Sequence, residues 1–210
     1  MVSYVRDILS WWQINGRDFP WRRTREPYRI LVSEILLHRT RAENILPVYE
    51  RFLNEFPDIE TLSKAELKDV IDIMRPLGLR WRALKFHQTA RIIADRFVGE
   101  VPAEKNELIK LPGIGEYIAS AVPIFSRGEY LPLLDVNTVR VAARFFGLPV
   151  NDGSRKNRMF REFVLKLVNP VEVRSSYYAI IDLSAMICRP REPKCSVCPI
   201  SYDCSFRNKL

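Results

Sequence analysis

The 210 residues suffice for one large domain or two small ones and predict a free-standing soluble globule, since a chain of this length buries roughly 70% of its unfolded surface. A continuous apolar run of about 18 residues, which a membrane span needs, is missing, and Arg6 and Asp7 interrupt MVSYVRDILSWW where a secretory signal requires apolar residues, so an intracellular protein away from membranes is predicted. The formal charge of +8 favours a polyanionic partner, because cationic side chains gain affinity by displacing counterions from phosphates.

Helical spacing dominates, and no convincing run of alternating strand residues is present. Tyr4, Ile8 and Trp12 lie one turn apart on a first helix that DFPWR, residues 18–22, breaks at Pro20. Residues 28–40 form the next. Ile45, Tyr49, Phe52 and Phe56 mark a third, with Pro47 expected near its start. Ser63 and Glu66 have capping-box spacing ahead of Leu67, Val70, Ile71 and Met74, and Gly78 is the expected terminator. Trp81, Leu84 and residues 88–97 give another helix, stopped by Gly99 and Pro102. Further helices are expected at 116–125, 136–146, 157–168 and 174–187. The two histidines, His38 and His87, lack metal-ligand spacing and are expected at the surface or next to the wedge residues. The pattern predicts an all-α protein with a compact tail, without solenoid repeats.

All four cysteines fall in that tail, in CRPREPKCSVCPISYDC, with spacing C-x6-C-x2-C-x5-C. Thiols so concentrated in an intracellular chain read as metal ligands rather than disulfides. Cys188, Cys195, Cys198 and Cys204 suit a cubane iron–sulfur cluster, which takes four thiolates. Zinc stays open on spacing alone, although its usual paired short knuckles are represented only once. Arg189, Arg191 and Lys194 sit between the first two cysteines, on a loop stiffened by Pro190 and Pro193, where they either clamp a phosphate backbone or serve as ordinary surface charge.

LPGIGEYIASAV, residues 111–122, breaks the chain with Pro112, Gly113 and Gly115 and restarts a helix at once. Glycines there permit positive φ and close backbone approach, and the new helix begins with N–H groups pointing outward, which favours an anion. A plain helix–helix connection has the same pattern. Twenty residues after Gly115 comes LLDVNTVRVAARFFG, in which Asp135 precedes a helix with Val139, Ala142, Ala143 and Phe146 on one stripe. Taken alone, Asp135 is an N-cap. Glu34 has Ile30, Leu31 and Leu37 at i−4, i−3 and i+3 and so lies within an apolar stripe, where a carboxylate is either paired or functional.

Together, the P-G-x-G hairpin, the aspartate about twenty residues on and the spaced cysteines resemble the helix-hairpin-helix Gly/Pro/Asp DNA glycosylases of the endonuclease III superfamily, from DFPWR to Cys204. The resemblance implies an endonuclease III-like, two-lobed helical fold. Residues 24–130 would form a six-helix barrel domain with the hairpin at about 104–125, and residues 1–23 plus 131–210 a discontinuous iron–sulfur domain. It also implies a [4Fe–4S] cluster on Cys188, Cys195, Cys198 and Cys204, a monomer, and mismatch-containing double-stranded DNA as partner. Lyase-type members carry a lysine where this chain has Tyr117, and a phenol cannot form a Schiff base. Tyr117 therefore implies a monofunctional glycosylase, unless Lys110 substitutes from the other side of the hairpin.

DFPWR, LVSEILLHRT and LLDVNTVRV resemble the branch shared by MutY-type adenine glycosylases and Mig-type thymine mismatch glycosylases. MutY-type members usually read QQT where this chain has His38-Arg39-Thr40 and usually continue into a reader domain for oxidised guanine. Both departures favour thymine or uracil opposite guanine, with the adenine enzyme and a non-catalytic iron–sulfur DNA-binding module as alternatives. The resemblance assigns Asp135 to stabilising the sugar cation and its attacking water; a helix N-terminus favours the ionised form. Glu34 and Tyr117 would line the base pocket, Gly113 and Gly115 would hold a phosphate, and Arg39 and Leu79 would fill the gap in the stack. Leu79 alone equally suits an ordinary contact after Gly78.

Overall fold

A computed structural model describes residues 2–78 and 80–209; Leu79, expected to act as a wedge, lies outside them. Twelve α-helices and several short 3-10 turns, without a strand, account for the regular structure among the described residues. The chain divides into two compact units, one of residues 1–18 and 128–210 and the other Phe19–Arg127.

The continuous unit starts within DFPWR, at Phe19. The predicted break is itself a short helix, α2 (Pro20–Arg23), because proline suits a first helical turn. Trp21 is buried there and stacks on Phe19 with ring centroids 4.7 Å apart. Next come α3 (Pro27–Leu37), α4 (Ala42–Glu55), α5 (Ile59–Lys64), α6 (Leu67–Met74), α7 (Arg80–Phe97), α8 (Lys105–Leu108) and α9 (Glu116–Arg127). Helix α3 packs on α4 and α9, and α7 on α5 and α6. Their apolar faces meet around Leu31, Phe52 and Phe86, all essentially inaccessible, and the Phe52 and Phe86 rings stack.

Several helix boundaries differ from expectation for identifiable reasons. Pro47 sits inside α4, six residues into it, rather than at its start. The Ser63–Glu66 capping box does not form. Ser63 donates instead to the Glu60 carbonyl, while Asp58 caps α5 by accepting from the Thr61 amide at 2.7 Å. Trp81 and Leu84 are exposed, and Ala83, Phe86, Ala90 and Ile93 form the buried face of α7. His87, expected at the surface or next to the wedge residues, is buried and its Nε2 lies 2.9 Å from the Ala65 carbonyl.

The discontinuous unit comprises α1 (Ser3–Asn15), α10 (Val136–Phe146), α11 (Arg158–Lys166), α12 (Val173–Met186) and the cysteine tail. Helix α12 packs on α1 and α10. Asp182 of α12 is wholly inaccessible, and a buried carboxylate needs partners. It accepts from Arg17 Nε at 2.7 Å, the Arg17 amide at 2.9 Å and Trp12 Nε1 at 3.0 Å. This cluster fastens the N-terminal segment to a helix more than 160 residues later in the chain.

Candidate nucleic-acid and base-excision site

The hairpin joins α8 to α9. Gly113 has φ of +80°, a region that penalises a Cβ. The carbonyl of Pro112 accepts from Thr89 Oγ1 at 2.7 Å, which anchors the turn to α7. A Cβ on Gly113 would lie 2.8 Å from Lys85 Cβ, whereas one on Gly115 would meet nothing within 4 Å. The two glycines therefore have different duties. Gly113 lets the turn approach α7, and Gly115 leaves the outer surface of the hairpin open. Neither glycine amide donates to another described backbone group, so both can receive an anion.

Tyr117 follows within the first turn of α9 and is half-buried. Lys110 is exposed and bonded to Glu107 at 2.6 Å. Glu34 is 6% exposed on α3, the helix packed against α9. The polypeptide thus brings the helix of Glu34 against the helix of Tyr117 within one unit.

Helix α3 ends at Leu37, three residues earlier than predicted, and Arg39 has φ of +59°. Arg39 is exposed. His38 lies edge-on to Trp81, with centroids 5.8 Å apart. Burial lowers the His38 pKa, and the nearby Arg82 and Arg39 cations lower it further. A small open cleft, with a cavity volume of only about 20 Å³, places His38, Trp81, Arg82 and Lys85 beside Pro112 and Gly113.

In the other unit, Asp135 caps α10. Its Oδ1 accepts from the Asn137 amide at 2.9 Å and the Thr138 amide at 2.8 Å, and Thr138 Oγ1 accepts from the Asp135 amide at 3.0 Å, a reciprocal capping box. Its Oδ2 accepts from Asn137 Nδ2 at 2.7 Å. Arg140 Nη2 donates to Asn137 Oδ1 at 3.1 Å and to the Ser184 carbonyl, and its Nε donates to the Cys188 carbonyl at 2.8 Å. A continuous polar chain therefore runs from Asp135 to the backbone of the first cysteine. Asn137 and Arg140 had not been singled out from sequence; their signal is a polar i, i+3 pair on the side of α10 away from its apolar stripe.

The four tail cysteines form no disulfide, and each is partly accessible. Cys198 senses Cys188, Cys204 and Cys195 electrostatically, and burial pushes its thiol up to about 11. Arg144 donates to Cys188 Sγ at 3.6 Å and to the Arg189 and Pro190 carbonyls, while Cys204 Sγ donates to the Arg144 carbonyl. The Arg144 guanidinium beside Cys188 Sγ would suit a negatively charged centre held by these cysteines. Among the described residues, no group of three or more His, Cys, Asp or Glu side chains is placed closely enough to hold a metal ion as it stands. Arg191 and Lys194 are exposed, but Arg189 turns back to the Glu192 carbonyl and is half-buried, which diverts it from the open cationic role anticipated for all three.

Comparison with known proteins gives this geometry a family. The chain is 34% identical over 207 residues to the thymine/uracil-DNA glycosylase of Methanothermobacter thermautotrophicus, covering 98% of this chain and 94% of that one. It is 33% identical to the adenine DNA glycosylase of Buchnera aphidicola subsp. Schizaphis graminum, covering 97% of this chain but 60% of that protein. The fold superposes on the solved structure of a thermostable thymine-DNA glycosylase with a TM-score of 0.89 and 35% identity, over 99% of this chain and 96% of that one. Residues 32–170 match the description "HhH-GPD superfamily base excision DNA repair protein". The chain belongs to the HhH-GPD superfamily of base excision DNA repair proteins, and within it to the DNA glycosylases.

Proposed function

We propose that the protein is a monofunctional DNA glycosylase that removes thymine or uracil mispaired with guanine and leaves an abasic site. The observation that carries this reading is Tyr117 in place of a nucleophilic lysine, in a chain whose similarity to a thymine/uracil-DNA glycosylase extends over nearly the full length of both.

A stacked base is out of reach of an active site, so the nucleotide is flipped out, and a mispaired pyrimidine costs least to extract. Cleavage of the glycosidic bond then leaves positive charge on the sugar. In the proposed chemistry Asp135 stabilises that charge and orients the attacking water. Its Oδ2 suits the task, since it takes a single hydrogen bond while Oδ1 takes two. Glu34 and Tyr117 recognise the flipped base through hydrogen bonding and ring contact. Gly113 and Gly115 receive a phosphate, Arg39 enters the gap left in the stack with Leu79, and Arg191 and Lys194 contact the phosphate backbone. Cys188, Cys195, Cys198 and Cys204 hold a [4Fe–4S] cluster, which supplies a rigid tail where few apolar side chains are available.

The adenine-enzyme reading is favoured by the comparable 33% identity to an adenine DNA glycosylase. Incubation with duplexes containing T·G, U·G and A opposite oxidised guanine, followed by alkaline cleavage, separates the two. Excision of thymine or uracil is expected, and excision confined to adenine opposite oxidised guanine would overturn the proposal. Iron analysis is expected to give about four iron atoms per chain; stoichiometric zinc instead would remove the cluster assignment.

A further inference from the structure

Arg82 is 3% exposed and has no carboxylate partner among the described residues. Its sequence signal is an arginine in register with the buried stripe of Phe86, Ala90 and Ile93. The two N–H bonds of Nη1 are shared among the carbonyls of Ile35, Leu36 and His38, at 3.1, 2.8 and 2.9 Å. Nη2 donates to the carbonyls of Leu77 and Gly78 at 3.2 and 3.5 Å. Three of these acceptors belong to the C-terminal end of α3 and the turn after it, and two to the turn before α7. The cation sits at a helix end where carbonyl dipoles replace a counterion. Burial still disfavours the charge and lowers its pKa.

Each of the joined turns contains a left-handed residue, Arg39 with φ of +59° and Gly78 with φ of +70°. A lysine ammonium is a single compact donor group, whereas the planar guanidinium holds two acceptor sets in a fixed relative direction. We infer that Arg82 is a positioning residue that locks the 38–40 and 77–78 turns together, so that they meet a damaged duplex as one preformed surface. The role in DNA binding rests on the glycosylase reading above; the locking of the turns does not.

Amide hydrogen exchange on the free protein tests the lock through the Thr40 amide, bonded to Leu37, and the Gly78 amide, bonded to Arg75. In Arg82→Gln both are expected to exchange roughly tenfold faster, as loss of a buried hydrogen-bond set predicts, while the Ala119 amide bonded to Gly115 in α9 is unchanged. Arg82→Lys guards against a global folding defect. It is expected to protect one turn and release the other, and protection of both would overturn the inference, as would acceleration at neither amide in Arg82→Gln. Affinity for a duplex with an abasic-site analogue is expected to fall roughly tenfold in Arg82→Gln, with affinity for undamaged duplex kept within about twofold. Faster exchange with unchanged abasic-site affinity would overturn the DNA role alone, and absence of excision by the wild-type protein would sink the glycosylase reading while leaving the exchange result standing.

Discussion

Asn137 Nδ2 donates to Asp135 Oδ2 at 2.7 Å, so the oxygen of Asp135 that is not committed to the helix cap is aimed by a residue two positions later. Asp135→Asn sets an amide nitrogen against one of these donors in either orientation. The substitution is expected to lower single-turnover excision by about 10²–10⁴-fold, the usual contribution of a positioned acid–base or charged group. Because asparagine caps a helix about as well as aspartate, stability is expected to change by less than about 1 kcal/mol, read by thermal melting. Excision at the wild-type rate would remove Asp135 from the chemistry.

Arg140 aims Asn137 in turn. Arg140→Leu strands Asn137 Oδ1 and the carbonyls of Cys188 and Ser184. A stability loss of about 1–3 kcal/mol is expected from the buried acceptors. Excision is expected to fall further than stability accounts for, by roughly ten- to a hundredfold, because small misplacements of a reacting group are costly. Single-turnover rates measured well below the melting temperature check this. An unchanged rate would show that Asp135 keeps its aim without the polar chain.

The centres of the helices were legible in the sequence because apolar spacing reports the buried face directly. Their ends were less so. Helix α3 stops at Leu37 because Arg82, more than forty residues away in sequence, takes its terminal carbonyls. No local signal at 38–40 announces that. Ser63 had the right spacing for a cap, but Asp58 begins a separate short helix that places Ser63 in its interior. Among the candidate site residues, Asp135 was legible as an N-cap and Glu34 as a carboxylate on an apolar face. Asn137 and Arg140 were not, since their meaning depends on where α12 delivers Ser184 and Cys188.

His38 offers a test of local electrostatics. Its folded pKa is lowered, first by burial and then by Arg82 and Arg39. The sign follows directly: a depressed histidine favours the neutral folded form, so its contribution to stability is complete above the unfolded value near 6.5 and is lost as pH falls through the lower folded value. NMR titration is expected to find the imidazole titrating below the ordinary histidine value. Arg39→Ala is expected to shift it upward, by removing one of the two cations. A downward shift in that variant would contradict the arrangement of the 38–40 turn.

The two hairpin glycines make opposite predictions. Gly113 combines φ of +80° with a would-be Cβ 2.8 Å from Lys85 Cβ, so Gly113→Ala adds backbone strain and a steric clash with α7. A loss of about 1–3 kcal/mol is expected from the two effects together, visible in thermal or denaturant melting without DNA. At Gly115 a Cβ meets nothing within 4 Å. Gly115→Ala is therefore expected to leave stability within about 0.5 kcal/mol of wild type, as at other open positions. If a phosphate approaches the backbone there, the same methyl obstructs it, and duplex affinity falls with little change in folding. Equal losses of stability in both variants would contradict the geometry of the turn. Unchanged affinity in Gly115→Ala would move the phosphate away from this face of the hairpin.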